Sequence, residues 1–209
     1  MSKKKERLQK YNIMTLGNTA VGKTTFIIRF TDNTFKSIYL TTLGVDYKSK
    51  IITLDNKKRY TIHFFDTAGQ EKYKSLALNV IKNAHGVILM YDVTNKKSFE
   101  AISTWMKNIM DLKGKEFPVI LVGNKIDLVD VREVSIEDGE NSAKQYGIPF
   151  FEISNKLGTN VEDAGLELIN LVVDTYSNTK DDKSKGSALK LNKKNNKNNK
   201  NKGKKGCNC

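Results

Sequence analysis

Cysteine is scarce in this sequence, and long hydrophobic runs are missing. The two cysteines, Cys207 and Cys209, stand one residue apart at the end of the chain, so they cannot cross-link a core and we expect a reducing compartment. Strictly apolar runs reach about five residues, whereas a membrane-spanning helix needs roughly 20. No apolar segment follows the basic first residues, so we expect no secretory signal peptide.

Acidic residues are outnumbered: 36 Lys and Arg stand against 23 Asp and Glu, which gives a net charge of +13. The excess lies in residues 1–10 and 178–209, and the segment between them is neutral. Residues 192–202 are all Lys or Asn, a composition that favours disorder because it offers no apolar face. We therefore predict a basic N-terminal extension at 1–10, one globular domain at 11–177 and a disordered tail at 178–209.

Alternating strand-like and helix-like segments in this domain predict an α/β fold. The apolar runs Ile13–Leu16, Val87–Tyr91 and Val119–Val122 indicate buried strands, and the segment 99–109 has apolar residues at helical spacing. Strands that are apolar throughout are buried on both faces, so we expect a mostly parallel sheet with helices on both faces. A turn at Asp55 predicts a hairpin and one antiparallel edge strand.

The pattern GxxxxGK[ST] follows the first apolar run and opens a helix-like segment, the context typical of a phosphate-binding loop. Backbone N–H groups of such a loop surround an anion, and the helix N-terminus adds positive potential. The lysine supplies charge to the outer phosphates, and the threonine hydroxyl can coordinate Mg²⁺. The motif consists of Gly17, Asn18, Thr19, Ala20, Val21, Gly22, Lys23 and Thr24.

A second motif, Asp66-Thr67-Ala68-Gly69-Gln70, follows the largely apolar run 62–65. A carboxylate at a strand end near the phosphate loop can hold Mg²⁺ through water. Gly69 allows its N–H to approach a γ-phosphate, and Gln70 is a candidate to orient an attacking water. A simple turn after a strand is the alternative.

A third motif, Asn124-Lys125-Ile126-Asp127, follows the run Val119–Val122. Asp127 can accept hydrogen bonds from N1–H and the amino group of guanine. Adenine has an acceptor in place of N1–H and no 2-amino group, so it would leave a buried carboxylate unpaired. Since ligands of parallel sheets bind at the carboxyl ends of strands, three motifs at three strand ends can converge on one nucleotide.

Together these motifs resemble those of Ras-superfamily small GTPases, and among them the Rab family. The resemblance covers residues 10–177 and includes the segments 43–47 and 65–71. It implies the P-loop NTPase fold of small G proteins, with a six-stranded sheet. It also implies an enzyme that binds GTP, GDP and Mg²⁺ and hydrolyses GTP.

The resemblance assigns further residues. It implies that Thr42 and Thr24 bind Mg²⁺, that Phe35 packs against guanine and that Tyr39 covers the phosphates. The rest of the implied nucleotide site consists of Thr25, Ser154, Asn155 and Lys156, and the switch I effector segment consists of Tyr39, Leu40, Thr41, Thr42, Leu43, Gly44, Val45, Asp46 and Tyr47.

Several positions depart from the family pattern. Thr19-Ala20 replaces smaller residues in the phosphate loop, and Asn155 replaces an alanine whose guanine contact is its backbone N–H. The three aromatic positions that effectors of the family contact are Tyr47, Phe65 and Val80 here, and all three differ from the usual residues. We therefore predict a divergent Rab, and the identity of its effectors does not carry over from the family.

The ending Cys207-Asn208-Cys209 resembles the Cys-x-Cys end on which Rab proteins carry two geranylgeranyl groups. Stable anchoring needs two signals, which two lipid chains supply and nearby lysines reinforce. We expect a monomer on the cytoplasmic face of an intracellular or plasma membrane, with a soluble cytosolic pool. The family implies an exchange factor, a GTPase-activating protein, a GDP-dissociation inhibitor or escort protein, and effectors.

Two alternatives remain open beside a trafficking switch. The chain could bind GTP with little hydrolysis and act as a scaffold, or it could associate with nucleic acid through its basic tail. The Cys-x-Cys end speaks against nucleic acid, which we do not expect as a partner. No arginine lies in the phosphate loop or in residues 35–47, so we expect slow hydrolysis without an activating protein.

We expect the substitution Gln70→Leu to trap the GTP form, because leucine cannot orient water for attack. The measurement is hydrolysis of bound GTP with and without an activating protein. Undiminished stimulated hydrolysis in the variant would refute the role given to Gln70.

Overall fold

The computed structural model describes most of the first 177 residues, in the ranges 8–35, 45–55, 57–67 and 74–177. Side chains are not described at residues 45–46, 67 and 74–77. The chain divides into two compact units, Met1–Val172 and Val173–Cys209. The first unit contains the sheet and the helices beside it. Of the second unit the structure describes residues 173–177, which are helical.

Strands of the described residues form one six-stranded sheet in the order β2-β3-β1-β4-β5-β6. β2 pairs antiparallel with β3, and the other pairings are parallel. The prediction of a mostly parallel sheet with one antiparallel edge strand is confirmed, and β2 is that strand. From β1 to β6 the strands are Gln9–Leu16, Val45–Thr53, Arg59–Thr67, Gly86–Asp92, Val119–Asn124 and Phe150–Ile153.

Helices occupy most of the connections between the strands. No helix of the described ranges is both long and apolar enough to cross a membrane. A short 3₁₀ helix, Val129–Val131, follows β5. From α1 to α6 the helices are Lys23–Asp32, Lys74–Asn83, Lys96–Glu100, Ile102–Lys113, Ile136–Tyr146 and 161–177.

Both faces of the sheet are covered, as predicted. β4 and β5 are buried along their whole length. Leu89 belongs to a core cluster with residues of α2, α4 and α5. Its neighbour Ile88 points to the opposite face and is also fully buried. On that second face the rings of Phe30 in α1 and Phe64 in β3 meet edge to face, with centroids 5.3 Å apart.

Two predicted elements differ in extent from the structure. β1 begins at Gln9 rather than at Ile13, because its parallel ladder with β3 continues through polar residues as far as the pair Gln9–Tyr60. The predicted helix over 99–109 is present but is divided at Ala101 into α3 and α4. Hydrophobic periodicity reports burial rather than backbone pairing, so it locates elements better than it locates their ends.

The loop between β1 and α1 holds an alanine in a left-handed conformation. Ala20 has φ of +65°, and α1 then starts after Gly22, whose φ is +105°. Left-handed backbone costs an L-residue roughly 1–2 kcal/mol, while glycine adopts it readily. This loop therefore keeps its shape against local strain at Ala20.

Replacing Ala20 by glycine should raise the free energy of unfolding by about 1 kcal/mol, because the strain at φ +65° disappears. Urea denaturation of both proteins measures the difference. Ala101→Gly is the matched control: Ala101 has φ of −69°, so the same change there should lower stability by about 0.5–1 kcal/mol. A loss of stability at position 20 would contradict the strain argument.

Candidate functional site

The phosphate-loop motif forms a tight turn pressed against the neighbouring strand. Gly17 has φ of +139°, and a Cβ at this position would lie 2.1 Å from the backbone oxygen of Met90 in β4. A Cβ on Gly22 would lie 2.2 Å from Nδ2 of Asn124 and 2.9 Å from Nδ2 of Asn155. Close approach to the backbone of β4 therefore requires glycine at position 17. At position 22 glycine is favoured by its φ of +105° and by the two side-chain amides beside it.

Lys23 lies within this turn and is 5% exposed. Its ammonium donates hydrogen bonds to the carbonyl oxygens of Gly17 at 3.0 Å and Asn18 at 2.8 Å. Burial lowers the pKa of Lys23 to about 8, and the carboxylate of Asp66 opposes this shift less strongly. The buried cation therefore lacks full compensation, and an anion in the turn would supply it.

The start of α1 suits an anion as well. No described side chain caps this helix, and its first turn holds no acidic residue. By contrast, Asn95 caps α3, and α5 begins with a capping box in which Ser135 and Asp138 bond reciprocally. The N-terminal amides of α1 are therefore left to bind an anion in the phosphate loop, and the helix dipole favours negative charge there.

A hydroxyl and a carboxylate stand side by side next to this turn. Oγ1 of Thr24 donates to Oδ2 of Asp66 at 2.5 Å, and Oγ1 of Thr15 lies 3.4 Å from the other carboxylate oxygen. Asp66 is 3% exposed at the carboxyl end of β3. Hard oxygen ligands of this kind suit Mg²⁺, so the pair predicted from sequence has the chemistry of a magnesium site.

The loops after β5 and β6 meet beside the same turn. Nδ2 of Asn124 donates to the carbonyl of Val21 at 2.8 Å, and its Oδ1 accepts from the backbone N–H of Asn155 at 3.2 Å. Oδ1 of Asp127 accepts from Oγ of Ser154 at 2.6 Å. The two sequence motifs thus form one cluster that touches the phosphate loop.

Two lysines of these loops are paired with carboxylates. Nζ of Lys125 lies 2.5 Å from Oδ2 of Asp92, and Nζ of Lys156 lies 3.9 Å from Oδ2 of Asp127. Lys125 has φ of +73°, so its backbone is held in a strained turn at this point. The Asp127 side chain is 10% exposed, so its carboxylate is nearly buried at the end of this loop.

Phe35 ends the described segment after α1 and is 38% exposed. The guanidinium carbon of Arg29 lies 5.9 Å from its ring centroid, within the range of a cation–π contact. The ring therefore sits at the loop 154–156, because Arg29 also donates to the backbone oxygens of Asn155 and Lys156 at 2.8 and 2.6 Å.

Several predicted site residues lie outside the described residues, and their assignments stay predictions. These are Tyr39, Leu40, Thr41, Thr42, Leu43, Gly44, Gly69, Gln70, Cys207 and Cys209. Val45 and Asp46 open β2, and their side chains are not described.

Tyr47, one of the residues predicted to contact effectors, is solvent-exposed. Tyr47 is 54% exposed on the edge strand β2. Its ring centroid lies 5.9 Å from that of Phe65 and 5.4 Å from that of His63. Val80 is half-buried in α2. The antiparallel edge of the sheet therefore carries an aromatic cluster of exposed Tyr47 and half-buried Phe65 and His63, the last of which no sequence motif includes.

Sequence reasoning missed three contacts of this site. The indole N–H of Trp105, a residue that belongs to no motif, donates to Oδ1 of Asn18 at 3.4 Å. Asp92 and Arg29 also contact site residues and belong to no motif. Asp92 ends the buried strand β4, so the rule that ligands bind at strand ends was the available signal. For Trp105 and Arg29 the sequence carried no such signal.

Comparison with known proteins agrees with this geometry. The Ras family model matches residues 12–174. The Ras-related protein Rab-3C of Bos taurus is 39% identical over 167 residues, which cover 80% of this chain and 73% of the relative. The human Ras-related protein Rab-37 is 41% identical over 157 residues, covering 75% and 70%.

A third relative covers more of both chains. The Ras-related protein Rab-8B of Pongo abelii is 36% identical over 178 residues, which are 85% of this chain and 86% of the relative. Identity of this extent, together with the Ras family match and the shared fold, leaves one conclusion: this chain belongs to the Rab family of Ras-related small GTPases and is a GTP hydrolase.

Proposed function

We propose that the chain is a membrane-bound switch in vesicle trafficking that alternates between GDP and GTP in the pocket described above. The observation that carries the proposal is the convergence of three groups at the carboxyl ends of the parallel strands. These are the buried ammonium of Lys23, the Thr24–Asp66 oxygen pair and the carboxylate of Asp127. They match the outer phosphates and the base of a guanine nucleotide and the metal ion that accompanies the phosphates.

Base selection rests on Asp127. Its carboxylate accepts one hydrogen bond from Ser154 and keeps acceptor capacity for two donors of guanine. Asn124 stands nearby with both ends of its amide engaged, one on the phosphate loop and one on the backbone of Asn155. The ring of Phe35, which the Arg29 guanidinium contacts, would pack against the base.

Phosphate binding rests on the loop and on α1. The amides at the start of α1 and the ammonium of Lys23 would neutralise phosphate charge. Thr24 and Thr42 would hold Mg²⁺ directly and Asp66 through water. Bound there, Mg²⁺ would neutralise charge on the phosphate oxygens.

Switching would depend on the segments around Thr42 and Gly69. With GTP bound, contacts of these residues to the γ-phosphate would order the segments, and hydrolysis would release them. Gln70 would position the attacking water. Because no arginine lies in the phosphate loop or in residues 35–47, hydrolysis would be slow until an activating protein supplies one.

Membrane attachment would use Cys207 and Cys209, each carrying a geranylgeranyl group. Lys200, Lys202, Lys204 and Lys205 lie within ten residues of the lipid and would be drawn to anionic headgroups. An exchange factor, a GTPase-activating protein and a GDP-dissociation inhibitor or escort protein would act on this monomer. Effectors would contact the exposed surface around Tyr47, whose composition differs from the usual aromatic residues of the family.

The first test identifies the bound nucleotide. The purified full-length chain is denatured, and the released small molecules are separated by chromatography. We expect stoichiometric GDP or GTP. An empty protein that also fails to bind added GTP with Mg²⁺ would overturn the switch and favour a scaffold built on the same fold.

Asp127→Asn is the matched variant for this test. Asparagine presents one donor and one acceptor where aspartate presents two acceptors, which suits the N1–H and C2 carbonyl of xanthine instead of guanine. We expect GDP affinity to fall by about a hundredfold or more and binding of xanthosine diphosphate to appear. Unchanged GDP binding would show that Asp127 does not read the base.

The buried ammonium of Lys23 generates a pH prediction. Its pKa is lowered to about 8, and a bound phosphate would raise it again, so binding would take up a proton above that pH. GDP affinity should be flat below pH 7 and fall about tenfold between pH 7 and 9.

Competition binding of GDP and guanosine at each pH measures this effect, because guanosine shares the base but lacks the phosphates. Lys23→Arg is the control variant, since arginine does not titrate in this range. A parent protein whose GDP-to-guanosine affinity ratio stays constant from pH 7 to 9 would contradict the assignment.

A further inference from the structure

The side chain of Asn155 contacts the phosphate loop and the first turn of α1. Its Nδ2 donates to the backbone oxygen of Gly22 at 2.9 Å and to Oγ1 of Thr25 at 3.0 Å. Oγ1 of Thr25 in turn donates to the same oxygen of Gly22 at 2.9 Å. Asn155 is 3% exposed, so these bonds form in a site from which water is excluded.

The backbone of Asn155 is fixed at two further points. Its N–H donates to Oδ1 of Asn124 at 3.2 Å, and its carbonyl accepts from Nε of Arg29 in α1 at 2.8 Å. Asn155, in the loop after β6, is therefore held by the last residue of β5, by α1 and by the phosphate loop. An alanine here would keep both backbone contacts and lose the side-chain bonds to Gly22 and Thr25.

The environment of the Asn155 side-chain oxygen, Oδ1, indicates that this residue does more than stabilise the fold. Among the described residues Oδ1 of Asn155 is buried and has no hydrogen-bond partner. An unpaired buried acceptor offsets much of the stability that two hydrogen bonds add. The substitution to alanine removes the unpaired acceptor together with the bonds, so its net effect on unfolding should be small.

We propose that Asn155 is a positioning residue that couples the base-binding loop to the phosphate loop and thereby slows the release of guanine nucleotide. Release requires the base and the phosphates to leave their separate loops. With Asn155 in place the loops cannot open independently, because movement of either one breaks the bonds to Gly22 and Thr25. The inference rests on the nucleotide pocket proposed above.

The test is the dissociation rate of a fluorescent GDP analogue from the full-length chain in the presence of Mg²⁺. Asn155→Ala should raise this rate by about fivefold, because the unpaired Oδ1 offsets part of what the two lost hydrogen bonds contribute. Asn141→Ala is the matched control, since Asn141 is exposed on α5 and the rate should stay at the parent value.

Thr25→Val tests whether faster release in Asn155→Ala comes from losing the bond between Asn155 and Thr25 or from a general loss of order in the nucleotide site. It removes one acceptor of the Asn155 amide while keeping the backbone N–H, so release should also become faster. The GDP release rate of the double variant should lie below the rate that multiplying the two single effects predicts, because both substitutions remove the same hydrogen bond. Multiplying effects would overturn the coupling. If Asn155→Ala fails to fold, a parent-like release rate in Thr25→Val alone would overturn it.

The single tryptophan provides a second readout that a purely structural role would leave unchanged. Trp105 donates to Asn18 of the phosphate loop, so its emission reports on that loop. We expect a shifted emission maximum in nucleotide-free Asn155→Ala at an unchanged midpoint of urea unfolding. Parent-like emission together with a parent-like release rate would overturn the inference. A parent chain that binds no GDP would instead contradict the proposed function.

Discussion

The pocket depends on how closely the phosphate-loop backbone approaches the carboxyl ends of β4 and β5. At Gly17 a single extra carbon would collide with the backbone of Met90, and at Gly22 with the amides of Asn124 and Asn155. This approach lets side chains from two other loops donate directly to the loop's own carbonyls. The loop is therefore shaped by its neighbours as much as by its sequence, and it holds even Ala20 at a strained φ of +65°.

Charge in the pocket follows from the same packing. Burial lowers the pKa of Lys23, and Asp66 compensates only in part. Asp127 and Asp92 are nearly buried as well, and each is partnered by a hydroxyl or by a lysine. Buried charges with incomplete compensation are costly in an unliganded protein and favour a charged ligand. In the proposed function, a nucleotide with its metal ion would supply charges of the required signs.

Sequence reasoning succeeded for the fold because it depended on burial. The runs at Val87–Tyr91 and Val119–Val122 are apolar throughout, which only a sheet covered on both faces explains, and both strands are buried in the structure. It did less well for the ends of elements. The extension of β1 to Gln9 is held by backbone pairing with Tyr60, which leaves no mark in the hydrophobic pattern.

The sequence by itself determined the strand and helix order, the glycines that the phosphate loop needs and the carboxylate that would read guanine, because each depends on local backbone geometry or on one side chain's chemistry. Only the tertiary structure decided the contacts between distant segments. Trp105 on Asn18, Arg29 beneath Phe35 and the Asn155 amide on Gly22 join residues far apart in the chain. Such pairs follow from the packing of helices and strand ends against one another, and no spacing along a single segment encodes them.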